Sequence, residues 1–90
     1  MVKQLHIIVT GRVHGVSYRY YVKNYAEQFG VKGFVKNLAD GSVEIVAQAE
    51  DDVLEEFLEK CKKGPLLAKI KGFIVEEEEL KTHFEFEVRH

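Results

Sequence analysis

Apolar residues in this chain recur at two different periods, and the changes of period divide it into elements. From Leu5 to Thr10, Leu5, Ile7 and Val9 fall on one face and His6, Ile8 and Thr10 on the other, which predicts a strand. Val22, Tyr25, Ala26 and Phe29 then recur at helical spacing, predicting an amphipathic helix that begins near Arg19 and stops at Gly30. Phe34 to Leu38 returns to strand character. Ala39-Asp40-Gly41-Ser42 follows as a hairpin signal, with Asp-Gly suited to a type I′ turn, and Val43, Ile45, Ala47 and Ala49 alternate along the returning strand.

The second half repeats this logic. A helix from about Asp52 to Lys62 buries Leu54, Phe57, Leu58 and Cys61, with Glu50 and Asp51 favourable at its positive end. Lys60, Lys62 and Lys63 suit its other end, and Gly64-Pro65 stops it. Ile70 to Glu77 forms a further strand, and the Glu76 to Glu79 run is its solvated end. Phe84, Phe86 and Val88 alternate with Glu85, Glu87 and Arg89 in a last strand, whose place in the sheet the pattern does not assign. The order β-α-β-β-α-β plus a terminal strand predicts an α+β ferredoxin-like sandwich. In that fold an antiparallel sheet carries both helices on one face. Residues 1–90 make a single domain.

Composition narrows the function. A net charge of -2 supplies no basic field for nucleic acid or an anionic membrane, so any anion site must be local. No apolar run approaches membrane-spanning length and the N-terminus shows no secretory pattern. The single Cys61 reads as a small core residue, and with no disulfide possible within the chain a cytoplasmic setting is expected. His6, His14, His83 and His90 form no cluster of metal-ligand spacing, so no metal site is expected.

The candidate chemistry lies between the first strand and the first helix, in Gly11-Arg12-Val13-His14-Gly15-Val16-Ser17-Tyr18-Arg19. Gly11 and Gly15 permit positive φ, so successive N–H groups can converge on one point, and the helix N-terminus behind them adds unpaired N–H groups. Such a place suits an oxyanion, with Arg19 supplying a guanidinium. Two glycines in a strand-to-helix connection are also common without function. A second dense stretch runs from Lys32 to Glu44. Within it Asn37 is unusual for a strand, and it reads either as a hairpin cap or as a functional amide.

Together these stretches resemble the acylphosphatase family. Gly11 to Arg19 is similar to its signature Gly-Arg-Val-Gln-Gly-Val-x-Phe/Tyr-Arg, and Lys32-Gly33-Phe34-Val35-Lys36-Asn37 with Asp40-Gly41-Ser42-Val43-Glu44 is similar to its second motif. The resemblance implies that Arg19 and the loop amides of Val13, His14, Gly15, Val16, Ser17, Tyr18 and Arg19 bind phosphate, and that Asn37 orients the attacking water. It implies hydrolysis of a small-molecule acyl phosphate to a carboxylate and inorganic phosphate, without cofactor. A monomer is expected.

His14 stands where the family usually has Gln and is expected to face solvent. Tyr18 is expected to pack with its hydroxyl near the surface and Arg12 to be solvated, while Lys32 and Lys36 read either as broadening a positive mouth or as exposed strand residues. An RNA-binding domain is the reading from another class, since Lys32-Gly33-Phe34-Val35 faintly matches an RNA-recognition strand, but the further aromatics are lacking. A catalytically silent domain that binds a phosphorylated ligand is the remaining alternative.

Overall fold

The computed structural model describes residues 1–90. Its elements are β1 (Val2–Arg12), α1 (Tyr18–Phe29), β2 (Lys32–Asn37), β3 (Val43–Glu50), α2 (Asp51–Lys63), β4 (Lys69–Glu78) and β5 (Phe86–Arg89). The sheet runs in the order β4-β1-β3-β2-β5. The first four strands pair antiparallel, as the ferredoxin-like pattern requires, whereas β5 lies parallel to β2. The sheet is therefore mixed. After β4, at one edge, the chain crosses to the other edge in the short span Glu79 to Glu85. It thus sets out again from the end where β4 finished, which gives β5 the direction of β2.

Burial explains the layers. Ile7, Val9, Val35, Val43, Ile45 and Ala47 on the sheet meet Val22 and Ala26 of α1 and Leu54, Phe57 and Cys61 of α2 in one core. The α1 end is fixed by two backbone bonds, Gly30 N–H to Glu27 carbonyl at 3.3 Å and Val31 N–H to Ala26 carbonyl at 2.8 Å, with Val31 buried behind them. Acidic Asp51 and Asp52 open α2 and Lys60, Lys62 and Lys63 close it, complementing its dipole as the sequence indicates.

The sheet face away from the helices carries a polar clasp that the sequence pattern did not disclose. Gln4 is buried; its amide donates to Glu78 at 2.6 Å, and its oxygen accepts from Gln48 at 3.1 Å and from the Lys81 N–H at 3.0 Å. Gln48 also donates to the Lys81 carbonyl at 2.7 Å. These bonds hold the crossing segment against the sheet. Glu78 is consequently engaged, while Glu76, Glu77 and Glu79 are solvated as expected. Phe84 lies before β5 and is 88% exposed, so the buried face of the last strand begins at Phe86.

The β2–β3 turn differs from the expected type I′. Gly41 has φ 93° but Asp40 is not in the left-handed region. Gly41 N–H bonds the Leu38 carbonyl and Leu38 N–H bonds that of Ser42, so Ala39 and Asp40 form a type I turn followed by a glycine bulge. The Asp40 carboxylate accepts from the Ser42 N–H at 2.9 Å and from its hydroxyl at 2.5 Å. These bonds favour the ionised form and hold the Asp40 carboxyl below its usual 3.8. Its stabilising effect is thus complete above about pH 4 and lost as pH falls through the lowered value. Asp40→Ala is expected to lower the Tm near neutral pH, and the gap to wild type is expected to close on acidification, as followed by thermal unfolding across pH.

Candidate active site

The cradle loop is held from below by alternate side chains. Val13, Val16 and Tyr18 are buried, which leaves the intervening backbone of His14, Gly15 and Ser17 at the surface side. The Tyr18 hydroxyl is not near the surface as expected: it is sealed in the core, donates to the Cys61 carbonyl at 2.8 Å, and burial pushes its pKa up. Burial does the same to the Cys61 thiol, which suits a core residue and not a nucleophile. Nor does His14 face solvent. It is half-buried and its Nε2–H donates to the Ser42 carbonyl at 2.8 Å, tying the loop to the hairpin that carries Asn37.

Backbone conformation does the rest. Gly15 has φ 68°, with open space where a Cβ would stand, so glycine serves the angle and not the room. Gly11 also has positive φ, yet it remains in β1 and pairs with Ile70. A Cβ there would collide with the Lys69 carbonyl, so its role is close packing of β1 on β4. Ser17, at the variable position of the signature, is the one non-glycine residue in the left-handed region, at φ 62°, and caps α1 without a side-chain hydrogen bond.

The outcome is a run of free donors. No backbone N–H from His14 through Tyr20 donates to any group of the protein; the first one paired is that of Tyr21, to the Ser17 carbonyl at 3.0 Å. These N–H groups surround the N-terminus of α1, where the helix dipole adds positive potential. Val13, Gly15, Ser17, Tyr18, Arg19, Tyr20 and Asn37 line one cavity of about 280 Å³ there. His14 and Val16 belong to the loop but do not line that cavity.

Arg19 lies half-buried on the first turn of α1. Its Nη1 donates to the Arg89 carbonyl at 2.9 Å and lies 3.2 Å from His90 Nδ1, while Nε and Nη2 have no partner within the protein. One branch of the fork is thus fixed by the segment at β5 and the rest is free. Asn37 ends β2, and its Oδ1 is buried with no hydrogen-bond partner in the protein. A buried acceptor left so costs roughly 1–3 kcal/mol. Tyr20 was not singled out from the sequence, although its place off the apolar stripe of α1 was a signal. No group of His, Cys, Asp and Glu is arranged to hold a metal ion.

A profile of the family described as Acylphosphatase matches residues 5–88. The chain belongs to the acylphosphatase family. It is 43% identical over 86 residues to the acylphosphatase of Archaeoglobus fulgidus, covering 96% of this chain and 97% of that one. The crystal structure of acylphosphatase from Bacillus subtilis is similar over all of both chains, with a TM-score of 0.95 and 38% identity. This acylphosphatase fold also recurs in a structure titled full-length HypF in the phosphate- and nucleotide-bound form. There it matches 12% of that chain with a TM-score of 0.94 and 28% identity. Family and fold together support an acyl phosphate hydrolase. No helix is long and apolar enough to cross a membrane.

The left-handed Ser17 costs this acylphosphatase roughly 1–2 kcal/mol of backbone strain. Ser17→Gly is expected to melt at or slightly above wild type, since relief of strain is offset by about 0.5–1 kcal/mol of glycine entropy. Ser17→Val is expected to melt lower by about 4–8 °C per kcal/mol of added strain. Thermal unfolding ranks the three, and a Val variant as stable as the Gly variant would remove the strain from the account.

Proposed function

We propose that the cavity hydrolyses acyl phosphates by binding the phosphoryl group on the free N–H groups of the 14–20 loop and on Arg19, with Asn37 positioning water. The observation that carries this reading is that a loop of consecutive free donors, a residue with a part-free guanidinium and a residue with an unpartnered amide oxygen come together at one cavity. Hydrogen bonds to a charged acceptor contribute roughly 1.5–3 kcal/mol each, so a few of them with one guanidinium hold a phosphate.

The chemistry needs little more. Asn37 Oδ1 accepts a hydrogen bond from water and aims its oxygen at phosphorus. As that P–O bond forms, the bond from phosphorus to the acyl oxygen breaks. The pair of electrons leaves on a carboxylate whose conjugate acid has a pKa near ~4, so no general acid is required. One water proton stays on the attacking oxygen and the other passes to a phosphoryl oxygen, giving dihydrogen phosphate, because an amide is no base. Loop N–H groups and Arg19 stabilise charge on the equatorial oxygens, which is the main part of catalysis in phosphoryl transfer. No step in this scheme calls for a metal or cofactor, and the free thiol Cys61 suits the cytoplasm.

Hydrolysis of benzoyl phosphate in the presence of EDTA tests the reading. Wild type is expected to turn over. Arg19→Lys exchanges a planar fork for a point charge and is expected to lose roughly 100- to 1,000-fold in kcat/KM with weaker inhibition by phosphate. Asn37→Ala is expected to lose mainly kcat, with the phosphate inhibition constant nearly unchanged. Folded wild type that binds phosphate without turnover would instead make this a silent phosphorylated-ligand domain.

A further inference from the structure

The mechanism above accounts for the phosphoryl half of the substrate and leaves one side chain of the cavity without a task, since it uses Tyr20 only through its backbone N–H. Tyr18, Tyr21 and Tyr25 form a ladder of rings along α1, with centroids 6.3 and 4.9 Å apart, and it continues to Phe29 at 5.9 Å. Tyr20 is the one tyrosine outside this ladder. It makes no ring contact and no hydrogen bond, is 57% exposed, and forms part of the cavity wall. Neither the core nor the cradle requires an aromatic there.

We propose that Tyr20 is the platform for the organic half of the substrate, and that it biases the enzyme toward acyl phosphates with aromatic or extended apolar acyl groups over small ones. The inference rests on the acyl phosphate reading. Arg19 and Tyr20 are successive residues on the first turn of α1, and both line this cavity. A phosphoryl group held by Arg19 and the loop therefore places its acyl substituent within reach of that ring. The cavity has room for it: about 280 Å³ is roughly nine water volumes at about 30 Å³ each, far more than a phosphate of five heavy atoms fills. The other lining groups besides Tyr20 are Val13 and Tyr18, both buried, and the polar or backbone surfaces of Gly15, Ser17, Arg19 and Asn37. Tyr20 is thus the only large exposed apolar surface that the cavity offers an acyl group.

The test compares benzoyl phosphate with acetyl phosphate in wild type, Tyr20→Ala and Tyr20→Phe, with inhibition by inorganic phosphate measured alongside. Tyr20→Ala is expected to lose roughly 10-fold or more in kcat/KM for benzoyl phosphate and less than about 2-fold for acetyl phosphate, the scale of a lost apolar contact. Phosphate inhibition is expected to stay unchanged, and Tyr20→Phe, which keeps the ring, to retain the wild-type preference. Equal losses on both substrates, or none on either, would overturn the platform while leaving the hydrolase intact. Wild type that turns over neither substrate would overturn the hydrolase reading and the platform with it.

Discussion

Backbone N–H groups in a folded protein are nearly all paired within it or with water, and this chain keeps a consecutive run free of any partner in the protein, from His14 through Tyr20, at one end of its sheet. The rest of the structure makes that arrangement possible. Val13, Val16 and Tyr18 sink into the core between the free N–H groups, so the loop cannot collapse onto its own donors. The Tyr18 hydroxyl reaches α2 and the His14 imidazole reaches the hairpin, which pins the loop to two elements distant in sequence. Strain at Ser17 is held by the same packing.

The ferredoxin-like scaffold brings the remaining groups to that end. β1 leads into the loop and α1 leads out of it, while β2 runs parallel to β1 one strand over and delivers Asn37 beside it. The added strand β5 lies against β2, and the Arg89 carbonyl just inside its end holds Arg19 Nη1. The polar clasp of Gln4 and Gln48 matters here indirectly. By fixing the segment at Lys81 it sets where β5 can begin.

Much of this was legible in the residues. Period together with the Gly30, Gly64-Pro65 and Asp-Gly breaks located the strands and helices, because the core faces of β1 and α1 obey it closely, and the stretches Gly11 to Arg19 and Lys32 to Glu44 hold all the residues that line the cavity except Tyr20. What could not be read depended on contacts between segments far apart in sequence. The hydroxyl of Tyr18 finds a carbonyl on α2, and His14 finds Ser42. No pattern in the sequence singles out Gln4, yet it is a buried hub that the returning chain at Lys81 bonds. Phe84 fits the alternation of the last strand but precedes the point where Gly33 pairs with Phe86. The Asp-Gly pair signalled a turn correctly, but the turn type was set by how Leu38 and Ser42 close the loop.

The central claim is that the free N–H groups of one loop form the phosphate site of this acylphosphatase. Titration of the folded protein with inorganic phosphate, followed residue by residue through its amide proton resonances, tests it most directly. The account predicts saturable downfield shifts concentrated at His14 to Tyr20, with α2 and the sheet away from Asn37 unaffected. Saturable shifts centred elsewhere, with the loop amides unmoved, would contradict it.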